Sequence, residues 1–255
     1  MDRGTWIGIL LGLTLLAVAI GMGPSPRIFF HPASMLVVFG GIIASTMIRF
    51  PLANVRSAFG VATQAFLHQP RSPQAVVAEI VGLSQRAKRE GLLALEKHLT
   101  GDPYLVKGLR MVVDRQDPAH IREVLVHEIH ATQDRHNLGQ EIFRFIAMSA
   151  PSFGMVGTLI GMVNIFASIK DPTKIGDAMA LSLLSTLYGA VIAYLFALPI
   201  AGKLELRSRE ELQHKSLMLD GILGIAGELH PASIEEQLNA SLAPNQKVRR
   251  LGSAS

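Results

Sequence analysis

The chain predicts an all-α integral membrane protein. It should have four transmembrane helices, a helical domain between the second and third, and a helical C-terminal region. Three observations lead there. Segments 150–169 (APSFGMVGTLIGMVNIFASI) and 178–202 (AMALSLLSTLYGAVIAYLFALPIAG) carry no charge, and about 20 such residues cross a bilayer as a helix. Two further apolar stretches, 6–22 and 35–48, make a second pair near the N-terminus. Between and after the pairs, apolar residues recur at helical spacing. Membrane stretches explain 49% hydrophobic residues and a mean hydropathy of +0.34 better than a large soluble core does.

Segment 6–22 (WIGILLGLTLLAVAIGM) follows a short basic start, which also fits a cleaved signal peptide. The apolar core is long, and GMGPSP offers no clean small-x-small cleavage site, so a retained helix is expected. Residues 23–31, with Pro24 and Pro26, read as a turn. Segment 35–48 (MLVVFGGIIASTMI), entered from Pro32 and closed by Arg49, is short enough to be a soluble core helix, but its neighbours favour a span. This hairpin is assigned to 1–50.

Region 51–145 reads as soluble and helical. Ser72-Pro73 is an N-cap and first-turn pair, and Val76, Val77, Ile80, Leu83 and Ala87 follow at helical spacing up to the breaker Gly91. A short helix is expected over 92–99. Another starts at Pro103 with Leu105, Val106, Leu109, Val112 and Val113 inside. Asp117-Pro118 opens a long one, striped by Ile121, Val124, Leu125 and Ile129, which can run unbroken into the third span. The third and fourth spans, assigned to 146–202, are joined by a polar linker over 170–177. Over 203–243 the fourth helix continues outward, turns back through a short helix near Ile222, and forms another after Pro231. Residues 244–255 are expected to be disordered.

Basic residues set the orientation. The turn at 23–32 has Arg27 alone, and 170–177 balances two lysines with two aspartates. Arg49, Arg56, Arg135, Arg144, Lys203, Arg207, Arg209 and Lys215 crowd the other side. Both termini and the middle region should therefore face the cytoplasm. A net charge of +4 suits a cytoplasmic leaflet better than a nucleic acid.

Gly157 and Gly161 form a GxxxG spacing with Gly154 near the same face, and Ser182, Thr186 and Gly189 share a stripe on the fourth span. Small and hydroxyl residues of this kind pack helices in membranes, and the expected packing joins copies of the chain in a homo-oligomer. The sharper alternative is a polar lining for an ion path. Neither span carries an Asp, Glu, Lys, Arg or His, so such a path would take its charged group from another chain. The absence of cysteine excludes disulfides and thiolate chemistry. His127, His130 and Asp134 could meet a metal on one helix face, but two-ligand motifs are weak and polar surface is the simpler reading. No nucleophile elbow, phosphate loop or dinucleotide fingerprint exists. Neither an enzyme nor a bound cofactor is indicated.

APSFGMVGTLIGMV (150–163), DPTKIGDAMALSLLSTLYGA (171–190), LPIAGKL (198–204), AKREGLLALE (87–96) and LMLDGIL (217–223) together resemble the MotA/PomA family of bacterial flagellar stator proteins, within the MotA/TolQ/ExbB superfamily. The pattern is most similar to the sodium-driven PomA branch. The resemblance implies an inner-membrane pentamer around a peptidoglycan-anchored MotB/PomB-like partner, which supplies the ion-carrying aspartate. It also implies a cytoplasmic domain that engages the rotor protein FliG. By the same resemblance, Pro151 and Pro199 couple ion flow to movement, and Thr158 and Thr186, with Ser182, line the ion path. Lys88, Arg89 and Glu96 face the rotor, and the only small ligand is the transported cation. The chain departs from the family at Lys97 and Leu99, where acidic residues are usual, at His31-Pro32 near the outer entrance, and at Met148. Competing readings are a TolQ/ExbB-like energiser, a class that usually has three spans, and a non-conducting membrane scaffold.

Overall fold

The computed structural model describes residues 3–23, 25–67, 71–98 and 101–242, and all regular structure among them is helical. The α-helices are α1 (Arg3–Gly21), α2 (Pro32–Met35), α3 (Gly41–Arg49), α4 (Leu52–Leu67), α5 (Pro73–Glu90), α6 (Pro103–Val113), α7 (Pro118–Ala167), α8 (Pro172–Val191), α9 (Leu198–Ala226) and α10 (Pro231–Ala240). Wider π-helical turns at Leu36–Gly40 and Ile192–Ala197 join α2 to α3 and α8 to α9, and 3₁₀ turns occupy Pro26–Phe29 and Leu92–His98. Three continuous helical stretches are long and apolar enough to cross a membrane: Pro26–Arg49, Pro118–Ala167 and Pro172–Ala226. Ile7–Gly21 is apolar and shorter. With its first residues, α1 reaches about 28 Å at 1.5 Å per residue.

The chain divides into two units, Met1–Gln69 with His136–Leu206, and Pro70–Arg135 with Arg207–Ser255. This differs from the sequence boundaries. The residues flanking the second and third spans fold with the spans, and the C-terminal region folds with the middle one. The expected disordered tail over 244–255 and the departure at Leu99 lie outside the described residues.

In the membrane unit, Phe50, Ala58, Ala62, Ile142, Phe143, Ala201 and Leu204 form one buried cluster, and Val38, Ile42, Ala150 and Ala193 form another. Arg49 pairs with Glu141 at 2.6 Å and lies 4.8 Å over the Phe145 ring. Arg144 pairs with Glu205 at 2.5 Å. These pairs are open to solvent and contribute only about 0–1 kcal/mol each. The linker between the third and fourth spans is shorter than expected. Asp171 caps α8, its carboxylate accepting from the Thr173 N–H at 3.2 Å, so Pro172 already starts the helix.

The second unit follows its caps. Ser72 accepts from the Ala75 N–H at 3.3 Å and Asp102 from the Tyr104 N–H at 2.8 Å, each with proline in the first turn. The α5 helix stops at Gly91, whose φ of 85° suits glycine. The faces so aligned bury Val76, Val77, Ile80, Leu105, Leu109, Val112, Ile121 and Leu125 against Leu217, Ile222, Ile225, Ile234 and Leu238. Tyr104 is enclosed, and its hydroxyl donates to the Leu125 carbonyl at 3.3 Å. Burial, then Glu128, Asp220 and Asp102, push that hydroxyl well above its usual range, so it stays neutral.

The expected turn-back near Ile222 is corrected. The glycines of LMLDGILGIAG do not break α9; they let other helices approach. A Cβ at Gly221 would lie 3.0 Å from Ile80 Cδ1, and one at Gly224 would lie 2.9 Å from Ile234 Cγ1. The helix ends only after Ala226, in a Schellman closure. The Leu229 N–H donates to the Gly224 carbonyl and the Glu228 N–H to the Ile225 carbonyl, both at 3.0 Å. The left-handed position of this motif holds Glu228 (φ 53°), and the matching position after α6 holds Arg115 (φ 52°).

Candidate functional site

Helices α7 and α8 meet along the small residues the sequence singles out. A Cβ at Gly154 would lie 2.9 Å from the Ser185 carbonyl oxygen, one at Gly161 2.6 Å from the Ala178 oxygen, and one at Gly189 2.5 Å from the Ala150 oxygen. Gly157 faces the Ser185 side chain. The neighbour admitted by this stripe is therefore the chain's own helix. The expectation that copies of the chain meet through it is corrected: the stripe is consumed inside one hairpin. The face of α7 left exposed carries Met155, Leu159, Met162, Val163 and Phe166.

Beside the glycines the hydroxyls divide into two kinds. Ser182 and Ser185 are buried. Ser182 donates within reach of the Ala178 and Thr158 carbonyls, both at 3.2 Å, and Ser185 donates to the Leu181 carbonyl at 2.5 Å. Ser182 thus links α8 to α7, whereas Ser185 bonds back to its own helix and packs its side chain against Gly157. Thr158 and Thr186 instead bring their Oγ1 atoms within 2.6 Å of each other, with Thr186 exposed and Thr158 half-buried. Thr158 also lies 3.1 Å from its own helix carbonyl at Gly154 and 3.2 Å from that of Ser182; Thr186 lies 3.4 Å from the Ser182 carbonyl. Each hydroxyl has one proton and two lone pairs. The two protons can go to carbonyls or to each other, which leaves lone pairs on two adjacent oxygens. Of the three residues expected along the ion path, Thr158 and Thr186 come together, while the Ser182 side chain serves the packing.

Pro151 lies inside α7 and has no N–H for the Ala147 carbonyl. Pro199 is the second residue of α9, directly after the π-helical turn, and there the Leu198 N–H donates five residues back to Ala193. A wider turn immediately before a proline relieves the clash its ring makes with the preceding turn. Both prolines thus mark places where a spanning helix departs from regular hydrogen bonding.

At the end of the first hairpin, the Tyr188 hydroxyl donates to the Phe29 carbonyl and accepts from the His31 N–H at 3.2 Å. His31 Nδ1 lies 2.8 Å from Ser34 Oγ, which reaches the Leu181 carbonyl at 3.3 Å. This latch from α8 to the turn before α2 escaped the sequence reading. The available signal was a tyrosine within an apolar span, whose hydroxyl needs a partner. Met148, which the resemblance singled out, is 63% exposed.

In the second unit, Lys88 and Arg89 end α5 and Glu96 lies on the following 3₁₀ turn, all three exposed, while Leu95 between them is fully buried and anchors the turn. His127 and His130 are exposed on α7, and no group of three metal-ligating side chains gathers among the described residues.

The family model for MotA/TolQ/ExbB proton channels matches residues 96–216. The chemotaxis protein PomA of Vibrio alginolyticus is 35% identical over 248 residues, covering 97% of this chain and 98% of PomA. The chain belongs to the MotA/PomA family. This is a family of channel proteins and not of enzymes. The flagellar MotAB stator complex from Bacillus subtilis superimposes with a TM-score of 0.86 at 29% identity, over 96% of this chain and 97% of that one. The C. jejuni MotAB structure has a TM-score of 0.89 at 22% identity over 98% of this chain and 100% of that one, and speaks for the fold. The region matched by the MotA/TolQ/ExbB model contains both threonines and both prolines. Glu96 is its first residue, and Lys88 and Arg89 precede it.

Proposed function

We propose that the chain is the ion-conducting stator subunit of a bacterial flagellar motor, coupling inward sodium flow to rotation. The observation that carries the reading is the Thr158–Thr186 pair. It puts two hydroxyl oxygens 2.6 Å apart, with one of them exposed, on spans that hold no Asp, Glu, Lys, Arg or His. A sodium ion leaving water needs oxygen ligands. Two hydroxyls and one carboxylate from a MotB/PomB-like partner make a small, partly dehydrated site. A charge at the bilayer centre is costly and marks function, so a path without its own carboxylate points to a partner that brings one. The PomA-like pattern supports sodium over protons. The Thr158 bond to Gly154 and the Thr186 contact with Ser182 support the plainer role of backbone satisfaction, but that role does not require the two hydroxyls to meet at 2.6 Å.

In this reading the protein is a pentamer in the inner membrane with both termini in the cytoplasm. Pro151 and Pro199 let α7 and α9 flex as the ion passes, and Lys88, Arg89 and Glu96 engage FliG. The exposed apolar face of α7 and the partner's helix are the surfaces on which assembly rests. The test is to supply the chain and its MotB/PomB-like partner to cells lacking every stator set. Restored swimming with the pair, and none with either alone, is the expected result. A chain that assembles with its partner and passes no current is a scaffold. One that restores outer-membrane transport without motility is a TolQ/ExbB-like energiser.

A further inference from the structure

Helix α4 starts at Leu52, directly after the second span closes at Arg49. Its sequence LANVRSAFGVATQAFL contains one charge, Arg56, and no carboxylate. One face is accounted for, because Ala58 and Ala62 are buried in the cluster of Ile142, Phe143 and Leu204. The other is largely open. Leu52 is 64% exposed, and Phe59, whose ring meets that of Phe143 edge-on at 5.1 Å, is still 51% exposed; Arg56 sits four residues after the first and three before the second, on the same stripe. An open hollow of about 500 Å³ is lined by Leu52, Ala53, Arg56 and Ser57. The nearby arginines differ: Arg49 is paired with Glu141 and Arg144 with Glu205. Arg56 has no carboxylate partner among the described residues.

One cation between two large apolar side chains, tied to the end of a span, fits the boundary between headgroups and acyl chains. We propose that this face of α4 binds anionic phospholipid in the layer where the second span ends. Leu52 and Phe59 enter the acyl boundary, and the Arg56 guanidinium holds a lipid phosphate over the hollow, since its planar fork matches phosphate oxygens. The charge pattern selects this occupant. With no carboxylate on the helix a basic protein surface finds no counterpart, and a second copy of the same face would bring arginine towards arginine. One basic residue at an anionic surface is worth about a fivefold preference.

The experiment uses the full chain with p-benzoylphenylalanine in place of Leu52, in nanodiscs of phosphatidylcholine and phosphatidylglycerol, irradiated and read by intact mass. Phosphatidylglycerol adducts should exceed their share of the lipid about fivefold. The excess should vanish with Arg56→Gln and persist with Arg110→Gln, which changes an exposed arginine on α6. Adducts in proportion to lipid composition would reduce α4 to unselective apolar contact and overturn the proposal. A crosslinked dimer of the chain would overturn it in favour of a second copy.

Discussion

Substituting Gly189 by alanine should force α7 and α8 apart. The added Cβ would lie 2.5 Å from the Ala150 carbonyl oxygen, 3.1 Å from its carbon and 3.2 Å from Pro151 Cα. All three are backbone atoms, so no side chain can rotate away. Ordinary contact begins near 3.4 Å, so the helices must separate by roughly 0.9 Å, and overpacking of this kind costs about 1–3 kcal/mol. Alanine regains about 1 kcal/mol of helix propensity, which leaves a net loss of about 0–2 kcal/mol against the wild type and of about 1–3 kcal/mol against an unclashed glycine-to-alanine change. Gly176→Ala, on the same helix with nothing within 4 Å, is the matched control and should be neutral or slightly stabilising. The assay is an SDS titration of the detergent-solubilised chain followed in the near ultraviolet. If Gly189→Ala proves as stable as Gly176→Ala, the close approach of these helices is not what holds the hairpin together.

Other predictions concern the second unit. Arg115→Gly should stabilise the protein by about 1 kcal/mol, because the Schellman position at φ 52° strains any residue with a Cβ; thermal unfolding reads it. Asp220 is held above its ordinary range by burial, against the pull of Arg122. A carboxyl with a raised folded pKa loses stability as pH climbs from its unfolded value of 3.8 through the folded one. Asp220→Asn should therefore raise the melting temperature at pH 7, and its advantage should shrink towards pH 4. Lys88→Glu should abolish or weaken swimming with protein level and ion flux unchanged, since an exposed charge contributes only about 0–1 kcal/mol to folding. A complementary reversal on the rotor should restore part of the speed.

Much of the fold was legible because polar caps followed by proline announce helix starts. Ser72-Pro73, Asp102-Pro103 and Asp117-Pro118 open α5, α6 and α7, and apolar spacing within them named most of the residues that these three helices give to the core of the second unit. Asp171-Pro172 is the same signal, but it lay in a polar stretch and was read as linker. Glycine misled in both directions. Gly221 and Gly224 looked like a break in α9 and proved to be contact points, because a helix tolerates glycine where packing repays the lost propensity. The stripe at Gly154, Gly157 and Gly161 declared that a helix comes close, but spacing cannot say which helix, and it was the chain's own. Helix α4 went unseen because its Ala-, Gly- and Ser-rich sequence gives little periodicity. The Tyr188 latch and the joining of 207–242 to the middle region depend on residues far apart in the chain, which local pattern does not encode. At the candidate site, residue types pointed to Thr158 and Thr186; their contact, and the withdrawal of Ser182 into the packing, needed coordinates.

The central claim is that the paired hydroxyls of Thr158 and Thr186 serve a sodium path, and one measurement addresses it directly. Swimming speed is followed as sodium is replaced by potassium at fixed pH, in cells whose only stator is this chain with its partner, for the wild type and for Thr158→Ala. The account predicts that the wild type slows to a stop as sodium is withdrawn. It also predicts that Thr158→Ala, inserted at normal levels, loses most of its speed even in full sodium. Unchanged wild-type swimming in sodium-free medium, abolished by a protonophore, would contradict it and assign the path to protons.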